Sequence, residues 1–224
     1  MLFKIESLKP QNLGLCILRM LMCFEVVLCH FWHSTSVPPL LIPFYILRNY
    51  AVPVFMLMSF FLTQNCILSK KSQIYKKRLS RLILPQIGWT IIYWLIYQLI
   101  SILFHTNLTN GPSDIFWQLL TGHCPRINPA MWYQIVLITL SIIFILLFNI
   151  LPENIALIST YVFMIAALFL QYSGINSSMF SQLRYELKYP LGRFFEMLPY
   201  ATIGFSLSYY KILRLPIPQM GFAP

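Results

Sequence analysis

Three ionisable residues stand inside one apolar stretch near the start of the chain. The stretch, residues 12–33, is long enough to cross a bilayer, and it contains Arg19, Glu25 and His30. Ionisable side chains are costly in lipid, so we expect them to face other helices or a wet cavity. A guanidinium there needs acceptors, whereas an imidazole can take up and return a proton. These residue types predict His30 as a general base and Arg19 as its partner in a catalytic site.

The spacing places Arg19 and His30 on one face of the predicted helix. They are eleven positions apart, which brings them within about 20° of each other around the helix and separates them by about 16 Å along its axis. Glu25 lies about 240° round from Arg19 and need not belong to the same site. The alternatives are structural: His30 hydrogen-bonds a backbone carbonyl near the outer boundary, and Arg19 pairs with Glu25 or with another helix. His33, at the rim, is a weaker candidate for the base.

A strongly basic segment, residues 70–81, lies between the second and third apolar stretches. It holds six Lys or Arg in twelve positions and no acidic residue. Short basic loops stay in the cytoplasm, and topology and phospholipid contacts explain the lysines. Arg78 and Arg81 differ, because residues three apart on a helix lie on one face, where two guanidinium groups can chelate a phosphate. Pro85 follows, and we predict a local break in the helix there.

The composition is that of an integral membrane protein. Hydrophobic residues make up 58% of the 224 positions and charged residues only 10%, far from the roughly one quarter that is charged in soluble domains. We therefore predict an all-α polytopic bundle of about six spans with a cytoplasmic N-terminus. The predicted spans are 12–33, 49–68, 82–104, 131–151, 155–172 and 194–210.

We attribute the net charge of +10 to membrane topology rather than to nucleic-acid binding. In the predicted orientation ten Lys and Arg lie on the inner side and five on the outer side, as the positive-inside rule requires. We predict no nucleic-acid partner. Four of the five cysteines fall inside predicted spans, so we expect small apolar side chains there rather than a disulfide framework, and no metal site.

The polar pattern resembles acyltransferase family 3, the polytopic membrane O-acyltransferases that modify bacterial surface polysaccharides and glycolipids. The resemblance rests on Arg19 and His30 with ten residues between them, and on Arg78 and Arg81 leading into Ile-Leu-Pro at 83–85. The supporting segments are 52–62, 76–85, 131–133 and 198–207.

The resemblance implies an acyl-CoA donor, usually acetyl-CoA, which is bound from the cytoplasm as a substrate rather than held as a permanent cofactor. The implied acceptor is a hydroxyl of a cell-surface sugar or glycolipid, and the implied location is a bacterial inner or plasma membrane, in contact with its lipids. By motif position, His30 and Arg19 are expected to be catalytic, and Arg78 and Arg81 to bind the coenzyme.

Two features depart from the family pattern. Ser59-Phe60-Phe61 stands where the family commonly has Ser-Gly-Phe, and the family has more spans than the six predicted here. We expect one acyltransferase-like domain over 1–224, shortened at its C-terminus, with further spans supplied by another polypeptide. The alternatives are an inactive truncated relative, or a carrier or channel subunit in which the charged residues of 12–33 line an ion path.

Overall fold

The fold is a bundle of helices, described by a computed structural model for residues 14, 17–18, 20–25, 42–105, 111–122, 131–173 and 185–210. Residues 20–25, in the first predicted span, are helical, and no strand occurs in the described ranges. The all-α prediction is therefore confirmed. The longer helices are α1 (Ile42–Leu68), α2 (Ser72–Phe104), α3 (Pro112–Thr121), α4 (Trp132–Ile150), α5 (Glu153–Tyr172) and α6 (Tyr185–Tyr209).

Four stretches within these helices are long and apolar enough to cross a membrane, judged by length and composition. They are Tyr50–Leu68 in α1, and the whole of α2, α4 and α5. Each overlaps a predicted span. The sixth predicted span lies within α6, which has 25 residues but carries charged residues in its first half. The first predicted span falls largely outside the described residues.

The basic segment differs from its prediction as a loop, because residues 72–81 form the first turns of α2. Lys, Arg, Gln and Leu are good helix formers, and this segment contains neither Gly nor Pro. The predicted break at Pro85 is also wrong, since α2 runs as one helix of 33 residues. The Gln134 side chain of α4 donates to the Leu82 carbonyl at 2.6 Å. The proline removes the helical hydrogen bond to the Arg81 carbonyl, and the neighbouring helix α4 supplies an additional donor to the next carbonyl along the chain.

The predicted outer segment 105–130 contains the short helix α3. Its start has Pro112 in the first turn, where a proline is pre-organised for a helix, and the Asp114 carboxylate accepts the Gly111 N–H at 3.1 Å. It ends at Gly122, whose φ of 65° suits a residue without a Cβ. The helix packs on α2, where the Gln86 amide donates to the Gln118 carbonyl at 3.0 Å.

The core lies where α1, α4, α5 and α6 meet, and α1 and α6 form the most extensive contact. Gly204 of α6 lies directly against the backbone of Leu57 in α1, so close that a Cβ there would collide with the Leu57 carbonyl oxygen. Small residues allow such close approach of membrane helices. Four fully buried rings fill the space beside this contact, namely Phe60, Phe144, Phe148 and Phe205.

Candidate active site

Arg78 turns its guanidinium into the bundle rather than towards the basic surface of α2. Its Nη2 donates to the Ser141 hydroxyl at 3.0 Å. Ser141 is fully buried at the centre of α4, and its hydroxyl donates to the Leu137 carbonyl at 2.7 Å. The guanidinium carbon lies 5.9 Å from the centroid of the Phe60 ring. These contacts place a permanent positive charge in the interior of the bundle.

The Arg78 guanidinium retains an unused donor. Its buried Nε has no hydrogen-bond partner within the described part of the chain, and none of the described carboxylates forms an ion pair with it. Leaving a buried donor unpaired carries a free-energy cost, and an acceptor on a bound molecule would remove that cost. Arg78 is therefore equipped to bind an anion or a carbonyl from within the bundle.

Arg81 has a different environment from Arg78. It is exposed, whereas Arg78 contacts Ser141, because α2 lies at the edge of the bundle and the two side chains leave it about 60° apart. The Arg78 guanidinium therefore lies inside the bundle, whereas Arg81 lies on its surface. Lys76, also exposed, lies on the same first turns of α2, so the surface around Arg81 is strongly positive.

The predicted catalytic pair lies outside the described residues, both Arg19 and His30. Between them Glu25 is described: it is helical and buried, with 2% of its surface exposed, and its Oε2 has no partner among the described groups. At this position, therefore, an ionisable side chain of the first predicted span faces the interior of the bundle. Glu25 lies in the interior, as the lipid cost of a carboxylate requires.

A polar stripe along the inner side of α2 was not predicted, and its members Tyr75, Gln86 and Thr90 are about three turns and one turn apart. The Tyr75 hydroxyl donates to the Ile67 carbonyl at 3.0 Å and lies 3.2 Å from Asn149 Oδ1. Gln86 and Thr90 are buried further along, and the Thr90 hydroxyl donates to the Gln86 carbonyl at 2.8 Å. The signal was present, because polar residues recur at helical spacing inside an apolar helix.

A second charged cluster joins the start of α6 to the start of α4. The Arg193 guanidinium lies 5.2 Å from the ring centroid of Trp132 and 5.1 Å from that of Tyr189. Its Nη1 also pairs with Glu196 Oε2 at 2.6 Å. The cluster explains the aromatic segment at 131–133 structurally, since a cation over two ring faces stabilises the junction of the two helices.

Comparison with known proteins identifies one family. The family model described as an acyltransferase domain, that of acyltransferase family 3, matches residues 12–217. The matched range contains both arginine motifs and the predicted base. No curated protein and no solved structure matches the chain.

Proposed function

Because this chain belongs to acyltransferase family 3, we propose that it is a membrane O-acyltransferase. It moves an acyl group, in the simplest case acetyl, from acyl-CoA to a hydroxyl of a cell-surface sugar or glycolipid. The observation that carries the proposal is the family match over residues 12–217. The four membrane-length apolar helices and the inward guanidinium of Arg78 support it.

In the proposed reaction, His30 is the general base. It takes the proton of the acceptor hydroxyl as that oxygen attacks the thioester carbonyl, so that a C–O bond forms and the C–S bond breaks. The imidazolium then returns the proton to the departing thiolate of the coenzyme. Arg19, on the same face of the first span but about 16 Å closer to the cytoplasm, positions the arm of the coenzyme.

The two arginines of α2 bind the donor at successive positions. Arg81 is exposed among lysines and contacts the coenzyme phosphates at the cytoplasmic side, where guanidinium groups bind phosphate best. Arg78, which contacts Ser141 inside the bundle, binds a part of the donor that enters beyond the phosphates. The proposed setting is a bacterial inner membrane with the N-terminus in the cytoplasm.

The test is acyl transfer by the full chain in lipid nanodiscs. Radiolabelled acetyl-CoA is supplied with a glycolipid extract from a bacterial membrane, and we expect label on the glycolipid that mild alkali releases as acetate, the behaviour of an O-ester. Anion or proton flux through vesicles without any acetyl transfer or acetyl-CoA binding would instead support the carrier alternative and reject the enzyme.

Arg81→Gln is expected to raise the KM for acetyl-CoA about tenfold, because the variant loses a charge-assisted hydrogen bond to phosphate at a solvent-screened position. The loss should shrink at high salt, where wild-type donor binding weakens as well. Initial rates at varied acetyl-CoA and ionic strength measure both effects. Lys76→Gln, also exposed on the first turns of α2, is the matched control and should change KM little. Equal effects of the two substitutions would contradict a specific role for Arg81.

A further inference from the structure

Two buried polar atoms on the inner side of α2 lack partners within the described residues, the Nε of Arg78 and the Oε1 of Gln86. The first is a donor and the second is an acceptor. The two residues are eight positions apart, which separates them by about 12 Å along the helix axis. Buried polar atoms in native proteins are nearly always hydrogen-bonded, so two exceptions on the buried side of one helix, about 80° apart around it, require an explanation.

The unpartnered atom of Gln86 is fixed by its neighbour. The amide nitrogen donates to the Gln118 carbonyl at 3.0 Å, and a carbonyl can only accept, so the amide cannot be reversed without losing that bond. The Thr90 hydroxyl donates to the backbone carbonyl of Gln86 and not to its side-chain oxygen. The side-chain oxygen of Gln86 is therefore left facing the interior, with 2% of the residue exposed.

The pair of atoms defines the chemistry of what would bind there. A molecule lying along α2 must offer an acceptor near Arg78 and a donor near Gln86, and it must be slender enough to pass between packed helices. Amide groups offer both, as a carbonyl and an N–H. The arm that joins the phosphates of a coenzyme A thioester to its sulfur is a flexible chain that contains amides.

We propose that Gln86 binds an amide N–H of the acyl donor's pantetheine arm, while Arg78 Nε binds a carbonyl of the same arm. The inference rests on the proposed function and adds to it a binding position on α2 beyond the arginine motif. Gln86 positions the donor and takes no part in proton transfer.

The experiment compares three acetyl thioesters on the full chain in nanodiscs: acetyl-CoA, acetyl-pantetheine, which keeps the amides but has no nucleotide, and S-ethyl thioacetate, which has neither. Gln86→Met, of similar length, should lower kcat/KM for the two amide-bearing donors about three- to tenfold, the usual effect of one lost hydrogen bond. It should leave kcat/KM for S-ethyl thioacetate unchanged. Thr90→Val, which removes a local hydrogen bond one turn away, should change none of the three relative rates.

A second measurement does not depend on the folding of a variant. Two acetyl-pantetheine analogues, each with an ester oxygen in place of one of the two amide N–H groups, separate the positions: one of them should be a poorer donor for the wild-type protein by the same factor. A uniform loss with all three thioesters in Gln86→Met, or ester analogues that react as well as the amides, would overturn the inference and leave the proposed function standing. A density map of the coenzyme complex with only a water at Gln86 Oε1 would also overturn it. Wild-type protein inactive with every donor would reject the proposed function itself.

Discussion

Alanine at position 30 is expected to lower the rate of acetyl transfer at least about a hundredfold, while the protein still inserts, folds and binds acetyl-CoA. A positioned general base contributes roughly 10²–10⁴-fold to such a reaction, and alanine removes the imidazole without placing a new charge in the membrane. The measurement is the initial transfer rate in nanodiscs at matched protein amounts. Binding of acetyl-CoA to the same samples separates lost chemistry from lost donor binding.

His33→Ala is the control for this prediction, because it removes a second imidazole three positions along the chain at the predicted rim of the membrane. We expect its rate to stay close to that of the wild-type protein. A His30→Ala variant that transfers acetyl at the wild-type rate would eliminate His30 as the base. Similar losses in both variants would point to a general effect of altering this end of the first span.

Gly204→Ala is expected to destabilise the bundle strongly. The new Cβ would collide with the Leu57 carbonyl oxygen and lie 2.8 Å from its carbon and 2.9 Å from the Leu57 Cα. These atoms belong to the backbone of α1, so α1 and α6 must separate along the largest contact in the bundle. Overpacking a close-packed interior costs about 1–3 kcal/mol, and a clash with backbone falls at the upper end of that range. The midpoint of thermal unfolding in detergent measures the loss.

Gly192→Ala is the matched control on the same helix. A Cβ at Gly192 would meet no atom within 4 Å, and replacing glycine inside a helix by alanine stabilises it by about 1 kcal/mol when the space is open. The two substitutions should therefore shift the unfolding midpoint in opposite directions. A fall of the same size in both variants would contradict a specific role for the contact between Gly204 and Leu57.

The apolar stretches predicted the middle helices well and the ends of the others poorly. Spans predicted at 131–151 and 155–172 correspond to α4 (Trp132–Ile150) and α5 (Glu153–Tyr172), because the break at Pro152 separates two uniformly apolar runs. Hydropathy cannot detect that α2 begins at Ser72, since a basic sequence can be loop or helix according to what it packs against. The short helix α3 was missed, although the Gly-Pro-Ser-Asp start at 111–114 and Gly122 are recognisable end signals.

The sequence predicted residues for the candidate site, but it could not predict the contacts that these residues make. The motif identified Arg78 and Arg81 from spacing alone, and the same spacing suggested that both face one phosphate. In the structure Arg78 is held by Ser141, a residue 63 positions away in the chain, whereas Arg81 is exposed. No local pattern encodes a contact of that kind. The sequence does not single out Gln86 either. Its side-chain oxygen is unpartnered because its side-chain nitrogen donates to the Gln118 carbonyl of α3.

The ring of Phe60 beneath Arg78 has a consequence for the energetics of donor binding. The face of an aromatic ring is electron-rich and attracts a cation, and this ring is fully buried, with its centroid 4.7 Å from that of Phe144. The water around a charged group must reorient when a ligand arrives. A packed aromatic ring keeps its orientation, and with it the direction of its quadrupole. The Arg78 guanidinium thus lies against a rigid, electron-rich ring, and its side chain lost its conformational freedom when the protein folded. A ligand that binds it does not have to immobilise it.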